Sequence, residues 1–344
     1  MPVYIGCDIH PHSQTVAWCD SKTGEIRTAR FEHTDRKGMK RFYGKFKGEQ
    51  AIVGVEACGA YAWFEELLTE AGHELVVGDA AKIRKMAPSR HKTDRKDAEH
   101  IMDLLMAGRF PALWRRPSEN EEVLKELRYR HGLVKQRTFI CNRLQAIAKD
   151  AGLGRFKMLT PRGRRLLNEA KLCAVSVGIR ESWMALLDQV EGQIKEVEKR
   201  LEQRAKADKD ASRLMTHSGI GTLTSLCLTH TLGDVKRFQN SRQITAFVGL
   251  DPVEKSSGDK VRLGSISKAG SALLRFLLVQ AAQSAIKKDA RLRSFYQQVA
   301  RRRGKAIAKV ATARKLCTRA YIMLRDEIDY EEFSRRGTKI GLHE

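Results

Sequence analysis

The chain has 344 residues, of which 42% are hydrophobic, so it is long and apolar enough for packed domains, and a disordered chain is excluded. Its 64 lysine and arginine residues outnumber the 41 acids, and the formal net charge of +23 indicates a polyanionic partner, with nucleic acid ahead of a membrane surface. Seven cysteines without a CxxC pair argue against a disulfide framework, and no apolar stretch reaches the roughly 18 residues of a membrane span, so we expect a cytoplasmic, nucleoid-associated protein without a membrane partner.

Residues 1–115 have the pattern of an α/β domain. Strands are predicted at 3–9, 14–20, 25–33, 51–57 and 74–77, and helices at 61–71 and 94–107. Only a short turn separates the first two strands, which predicts an antiparallel hairpin. The run at 51–57 is almost continuously apolar, as is typical of a strand buried on both faces. Thr93 is placed to cap the last helix.

Two aspartates open this last helix, in the stretch KTDRKDA at residues 92–98. Asp94 and Asp97 share the 3-4-3 spacing of one helix face with Ile101 and Leu104, so the sequence predicts that both carboxylates point toward the core. Inward carboxylates are rare unless they are paired or bind a metal. In so basic a protein, the pair indicates a hard-cation site that acts on phosphate.

Two further acids end predicted strands. Asp8 ends the first strand and Glu56 ends the run at 51–57. If these strands are neighbours, both carboxylates emerge at one sheet edge, and the helix with Asp94 and Asp97 can pack across it. Four carboxylates repel one another, and an all-oxygen ligand set favours Mg²⁺ or Mn²⁺ over zinc. Two such ions would stabilise the attacking and leaving oxygens of a phosphodiester. The alternative for each acid alone is a helix cap or a salt bridge.

Three histidines, His10, His12 and His91, lie near these elements. They show neither HxxxH nor HExxH spacing, which would indicate a zinc site. We therefore interpret each as a surface or capping residue rather than as a metal ligand.

Residues 116–210 are predicted to be helical and densely charged. Apolar residues recur with alternating steps of four and three at positions 183, 187, 190, 194, 197 and 201. We interpret this pattern as a coiled coil, either folded back on a helix at 118–150 or paired with another subunit. An ordinary amphipathic helix packed in its own domain is the alternative.

Residues 211–344 form a third region that opens with SGIG at 218–221. This turn is similar to the hairpin of helix-hairpin-helix modules, which hold a phosphate on backbone N–H groups, but a tight turn between helices would explain it too. Residues 287–315 contain eleven lysines and arginines and a single acid, Asp289. That density favours a nucleic-acid surface over a solvated helix face.

A second candidate site is the basic, Gly- and Ser-rich segment at 255–270, KSSGDKVRLGSISKAG. A serine here could attack a phosphodiester while nearby cations bind the scissile phosphate. The cations are Lys260, Arg262, Lys268 and Arg275. From spacing alone, a loop that only contacts the DNA backbone explains the pattern better.

Taken together, these motifs resemble the DEDD-type insertion-sequence transposases of the IS110 family and the related IS1111 group. The resemblance covers nearly the whole chain and is carried by short blocks in a fixed order. The blocks are IGCD at 5–8, VEA at 55–57, KTDRKDA at 92–98, SGIG at 218–221, FVGLDP at 247–252, SSG at 256–258, ISKAG at 266–270 and LR at 274–275. Two departures, at Cys7 and at His217-Ser218, do not touch the proposed chemistry.

The resemblance implies an N-terminal RuvC-like domain with an RNase H-type fold, central coiled-coil helices and a C-terminal helical transposase domain with the Gly/Ser-rich loop. It implies that Asp8, Glu56, Asp94 and Asp97 are the metal ligands. It further implies a serine nucleophile in the loop, which Ser257 matches best, with Ser256 as the alternative. It also implies a structured guide RNA that pairs with both target and donor DNA.

We therefore predict a Mg²⁺- or Mn²⁺-dependent recombinase that acts as a homodimer or tetramer and exchanges DNA strands through a covalent phosphoserine. A RuvC-like nuclease that hydrolyses junction DNA with metal-activated water would use the same four acids. A non-catalytic DNA- or RNA-binding protein is a third interpretation.

Overall fold

The computed structural model describes residues 2–19, 23–57, 59, 62–87, 93–254 and 263–340, and the chain forms two compact units, Met1–Arg115 and Arg116–Glu344. Unit 1 contains strands β1 (Val3–Ile9), β2 (Ser13–Cys19), β3 (Ile26–Glu32), β4 (Ala51–Glu56) and β5 (Glu74–Gly78) and helices α1 (Arg36–Gly44), α2 (Ala62–Glu70), α3 (Ala80–Met86) and α4 (Asp94–Met106). All five predicted strands and both predicted helices of this region are confirmed. Helices α1 and α3 were not predicted.

The strands of unit 1 form one sheet in the order β3-β2-β1-β4-β5. Strands β1, β2 and β3 are successively antiparallel, which confirms the predicted hairpin, whereas β4 and β5 run parallel to β1. A mixed five-stranded sheet with this order fits the RuvC-like domain that the resemblance implied. It also makes β1 and β4 direct neighbours.

Side chains alternate between the two faces of this sheet. One face packs Ile5 and Val53 against residues of α1 and α2, including Phe42 and Phe64, in a buried core. On the other face, Tyr4 packs with residues of α4, among them Ile101 and Leu105. Asp8 lies two residues beyond Gly6 on this second face, and the alternation therefore directs its carboxylate toward the side that α4 covers.

Two glycines allow α4 to approach the sheet closely. Gly6 and Gly54 are paired in register on β1 and β4. A Cβ on Gly6 would lie 2.0 Å from the backbone oxygen of Ala98, so helix and strand are in backbone contact there. The helix begins where predicted, because Thr93 Oγ1 accepts a hydrogen bond from the Lys96 N–H at 3.3 Å.

Unit 2 is almost entirely helical. Its elements are α5 (Ser118–Asp150), α6 (Pro161–Asn168), α7 (Ala174–Ala207), α8 (Lys209–Met215), α9 (Thr222–Leu232), a short 3₁₀ turn (Val235–Arg237), α10 (Ser241–Val248), β6 (Pro252–Glu254), β7 (Leu263–Ile266), α11 (Ala272–Lys288), α12 (Ala290–Arg303), α13 (Lys305–Arg325) and α14 (Tyr330–Ile340). Across the described part of the chain, we find no helix with the length and apolar character needed to cross a membrane.

The long helices α5 and α7 pack against each other. The heptad positions of α7 from Leu187 to Leu201 are buried in one core with Leu133, Ile140 and Leu144 of α5. Ion pairs also join the helices, namely Arg130–Glu198 at 2.5 Å, Arg137–Glu191 at 3.0 Å and Arg200–Glu126 at 2.6 Å. Partly exposed pairs of this kind contribute at most about 1 kcal/mol each, so the apolar seam holds the helices together. Supercoiling and pairing with a second subunit stay predictions.

The turn at 218–221 packs tightly against α11. Gly219 has a φ of +101°, and a Cβ there would lie 2.6 Å from the Ala285 nitrogen. Packing therefore accounts for Gly219, and phosphate binding at this turn stays a prediction.

The one acid of the basic segment 287–315 is buried. Asp289 accepts hydrogen bonds at 2.6 Å from Arg319 Nη1 and from the Tyr330 hydroxyl, and at 2.9 Å from the Leu292 N–H. Burial raises the pKa of Asp289, but these hydrogen bonds and the Arg319 charge outweigh it and hold the pKa below its usual value. Asp289 therefore neutralises Arg319 inside the protein and does not offset the exposed cations of α12.

A buried histidine lies beside this network. His217 is 1% exposed, and its ring centroid lies 4.2 Å from that of Tyr330. Burial lowers the pKa of His217 to about 4, although a hydrogen bond with the Ser218 carbonyl opposes the effect. The folded protein thus holds His217 neutral at pH values at which the unfolded chain binds a proton.

We expect the stability of unit 2 to fall as the pH drops from 6.5 toward 4, because the unfolded state gains a proton at His217 and the folded state does not. The difference between pKa values of 6.5 and about 4 corresponds to about 3 kcal/mol. The free energy of unfolding in urea, measured by hydrogen exchange of unit 2 at pH values between about 7 and 4, should depend less on pH in His217→Asn than in the wild type. His12→Asn, at an exposed histidine, should keep the wild-type dependence, and equal slopes for all three proteins would contradict the assignment.

Candidate active site

Two strand ends place Asp8 and Glu56 together. Cys7 of β1 is paired with Val55 of β4, so Asp8 and Glu56 are the next residues at the carboxyl ends of these parallel strands. Both lie on the sheet face that α4 covers. The Asp8 side chain is 15% exposed and the Glu56 side chain 34%. Strands β1 and β4 are therefore neighbours, as the argument for a shared site of Asp8 and Glu56 required.

The first residue of α4 completes a compact cluster with Asp8. His10 Nε2 lies 3.2 Å from Asp8 Oδ2 and 3.2 Å from Asp94 Oδ1. The potential ligand atoms of these three residues all lie within 4.8 Å of one another. Glu56 and Asp97 do not belong to this three-residue group.

Asp94 and Asp97 do not point into the core. Both side chains are partly exposed, and that of Asp94 has 39% of its surface accessible. They occupy the first turn of α4, beyond the apolar layer that starts at Ala98. The prediction that they face inward is wrong for this reason, although they lie on the side of the helix that continues into the core.

The acids act on one another electrostatically. The pKa of Asp8 is raised, first by burial and then by the negative charges of Asp97, Asp94 and Glu56, while His10 opposes the shift. All three other acids are therefore close enough to disfavour ionisation of Asp8. A cation placed among them would remove that penalty.

Cations also border the cluster. Arg30 Nη1 lies 3.2 Å from Asp94 Oδ2, and Arg84 Nη2 lies 3.6 Å from Glu56 Oε1. A groove beside Asp94 is lined by Thr15, Thr28, Ala29, Arg30, Thr93 and Arg95. Hydroxyl and guanidinium groups thus lie around an acidic centre. They could bind the phosphates of a nucleic acid while the acids hold a cation.

The residues present fit a divalent metal ion. Asp8 and Asp94 offer carboxylate oxygens and His10 offers a nitrogen at close range, with two further carboxylates next to them. Hard divalent cations take carboxylate ligands, and the mutual repulsion of the acids favours cation binding.

Comparisons with known proteins identify the family. Residues 5–151 match a family of DEDD transposases of the IS110 type, and residues 211–297 match the family described as "Transposase IS116/IS110/IS902 family". A "Probable family 20 transposase" of Pseudomonas aeruginosa is 29% identical over 303 residues, covering 81% of this chain and 85% of the relative. The "Transposase for insertion sequence element IS1111A" of Coxiella burnetii is 30% identical over 286 residues, covering 76% and 74%. The chain belongs to the IS110 family of transposases.

Membership of this family implies that the transposase is an enzyme that cuts and rejoins DNA, and the DEDD-type domain indicates use of a divalent metal. The first matched segment contains Asp8, Glu56, Asp94 and Asp97, and the second contains the Gly/Ser-rich segment at 255–270.

The proposed nucleophiles of the transposase, Ser257 and Ser256, lie outside the described residues, as do Lys260 and Arg262. Strands β6 and β7 pair antiparallel, and Ser267 Oγ donates to Asp251 Oδ1 at 2.5 Å. These contacts hold together the two ends between which the serines lie in the sequence.

The other two predicted nucleic-acid contacts differ in setting. Lys268 is exposed and has a φ of +57°. Arg275 is half-buried, and its Nη1 donates to the Val248 carbonyl at 3.0 Å and the Ala269 carbonyl at 2.5 Å. Arg275 thus links the end of α10 to the residues just before α11. That Arg275 and Lys268 contact DNA stays a prediction.

Sequence reasoning missed two residues of the cluster. His10 was interpreted as a surface or capping residue, and Arg30 was not considered. The alternation of β1 was a usable signal for His10, because it lies two residues after Asp8 and hence on the same side. The partnership of Arg30 with Asp94 depends on α4 packing near β3, which no local pattern reveals. His91, the third histidine considered, lies outside the described residues.

Proposed function

We propose that this transposase cuts and rejoins DNA strands through a covalent phosphoserine, with a divalent cation held by Asp8, Glu56, Asp94 and Asp97. The observation that carries the proposal is the meeting of Asp8, His10 and Asp94 within 4.8 Å, with the charges of the remaining two acids acting on Asp8. An acidic centre of this kind in a chain of net charge +23 is suited to phosphodiester chemistry.

The four carboxylates would hold a Mg²⁺ or Mn²⁺ ion, which would supply Lewis-acid stabilisation of the negative charge that develops on the phosphodiester oxygens. Arg30 and Arg95, which line the adjacent groove, bind the phosphates that flank the scissile bond. Their guanidinium groups position the strand in register with the acids.

Ser257 provides the nucleophile. Its Oγ forms a bond to phosphorus while the bond from phosphorus to the leaving strand oxygen breaks, and the serine proton ends on that oxygen. Rejoining reverses these steps with the hydroxyl of the other strand. One phosphodiester is exchanged for another through the phosphoserine, so strand exchange needs no external energy source.

The proposal also includes a guide RNA and a homo-oligomer. A structured guide RNA pairs with donor and target DNA, and the protein acts as a dimer or tetramer. Support comes from the exposed run Arg301-Arg302-Arg303-Gly304-Lys305, in a basic segment whose single acid, Asp289, is buried and paired with Arg319. Such a surface binds phosphate backbones without reading sequence.

The test of the proposed chemistry is a covalent protein–DNA adduct. Full-length protein incubated with RNA, donor and target DNA and Mg²⁺ should give an adduct stable to denaturation, and Ser257→Ala should abolish it. Ser265→Ala removes an exposed hydroxyl from the same region and should leave the adduct intact.

The remaining outcomes separate the alternatives. An adduct that persists in Ser257→Ala but is lost in Ser256→Ala would move the nucleophile by one residue, whereas one that persists in both would remove serine from the mechanism. Cleavage that leaves a free 5′-phosphate and no adduct would favour a metal-dependent nuclease. Binding without any cleavage product, and without response to Mg²⁺, would favour a non-catalytic binding protein.

A further inference from the structure

We propose that His10 is a ligand of the divalent cation, so that the centre is a mixed carboxylate–imidazole site rather than one built only from oxygen. This inference rests on the metal site proposed above and adds a fifth residue to it. It assigns a function to a side chain whose position in the sequence indicated only a surface histidine.

The position of the imidazole carries the inference. His10 Nε2 lies at the same distance, 3.2 Å, from carboxylate oxygens of two separate elements, Asp8 at the end of β1 and Asp94 at the start of α4. A single N–H on Nε2 can be directed at only one of these oxygens. A cation, in contrast, can accept the Nε2 lone pair and one oxygen from each carboxylate at the same time.

An ordinary exposed ion pair is the competing explanation. The His10 side chain is 46% exposed, and solvent would leave such a pair worth little. That explanation accounts for both contacts without a metal, and it differs from the proposal in predicting that no histidine nitrogen couples to bound Mn²⁺. Neutral imidazole is among the commonest metal ligands in proteins, and it binds through either ring nitrogen.

A nitrogen ligand has a consequence for metal preference. Imidazole suits transition metals, whereas Mg²⁺ prefers carboxylate and water oxygens. The site should therefore bind Mn²⁺ more tightly than Mg²⁺, and His10→Ala should weaken Mn²⁺ binding by about 10-fold while affecting Mg²⁺ binding less. The dissociation constant for Mg²⁺ divided by that for Mn²⁺ should therefore be smaller in His10→Ala than in the wild type.

The experiment uses the full-length protein with Mn²⁺ and no nucleic acid. Pulsed electron paramagnetic resonance detects the coupling between the Mn²⁺ electron spin and a ligating nitrogen nucleus, and calorimetric titration gives the affinities for Mn²⁺ and Mg²⁺. We expect nitrogen coupling in the wild type, its loss in His10→Ala and in His10→Gln, and its retention in His12→Ala. His12 is an exposed histidine of the same turn and serves as the matched control.

The outcomes distinguish failure of this inference from failure of the metal site. Mn²⁺ that binds without nitrogen coupling, or coupling that persists in both His10 variants, would overturn the role of His10 and leave the carboxylate site standing. Absence of Mn²⁺ binding by the wild type, or binding that survives Asp8→Asn unchanged, would overturn the metal site itself. His10→Gln retains a polar side chain at this exposed position and keeps the test open if the alanine variant does not fold.

Discussion

Asp94→Asn should reduce strand cleavage by at least about 10³-fold while leaving RNA binding and folding largely intact. The change removes one negative charge from the group Asp8, His10 and Asp94 and keeps the size of the side chain. Loss of a metal ligand removes several kcal/mol of transition-state stabilisation, and each 1.36 kcal/mol corresponds to a tenfold change in rate.

The fold should tolerate this substitution. Asp94 is the first residue of α4, and 39% of its side chain is exposed. An acid at a helix N-terminus contributes about 0.3–1 kcal/mol through the helix dipole, and asparagine retains one oxygen that can accept the hydrogen bond from Arg30 Nη1. The predicted loss of activity is therefore far larger than the predicted loss of stability.

Single-turnover cleavage assays, RNA-binding titrations and thermal unfolding of the same preparations would measure the three properties. Asp35→Asn is the matched control, because Asp35 is an exposed acid that caps α1 and takes no part in the cluster. It should retain wild-type cleavage. If Asp94→Asn unfolded the protein, the acid would be structural, and if cleavage were unchanged, Asp94 would not hold the ion.

Local patterns predicted most of unit 1. Strands β1 and β4 are nearly continuous apolar runs, and Thr93 is the N-cap residue that the sequence indicated for α4. Helix α1 was missed because only Met39, Phe42 and Tyr43 are buried in a short, strongly basic segment, which is too few for a recognisable period. Helix α3 buries only Ile83 and carries still less of a pattern.

The site was predictable only in part. That Asp8 and Glu56 end strands could be read from the sequence, but that those strands are neighbours depends on strand order, which local pattern does not encode. The predicted helix face of Asp94 and Asp97 is the observed one, but their predicted burial was wrong because the periodic face was extended to the first turn, where α4 lies beyond the apolar layer that starts at Ala98. The contact of Arg30 with Asp94 arises from tertiary packing and has no local signal.

Gly6→Ala should destabilise unit 1 by about 3 kcal/mol or more and should also impair metal binding. The new Cβ would lie 2.0 Å from the Ala98 backbone oxygen and 2.4 Å from the Met102 nitrogen. Both are helix backbone atoms and cannot move aside as a side chain can, so α4 as a whole must shift away from β1. Asp94 would move with it and separate from Asp8.

Two other glycines of unit 1 provide a graded control. A Cβ on Gly54 would meet the ends of the Leu105 and Ile101 side chains at 2.7 and 3.0 Å, which can rotate, so Gly54→Ala should cost less. Gly44, at the end of α1, has open space around the added Cβ, so Gly44→Ala should be neutral or stabilising by up to about 1 kcal/mol. Urea unfolding measured by hydrogen exchange in β1 and α4 gives the loss of stability, and Mn²⁺ titration gives the loss of metal affinity. Both losses should be largest for Gly6→Ala, smaller for Gly54→Ala and smallest for Gly44→Ala. If Gly6→Ala matched Gly44→Ala, close packing of α4 on β1 would not be what brings Asp94 to Asp8.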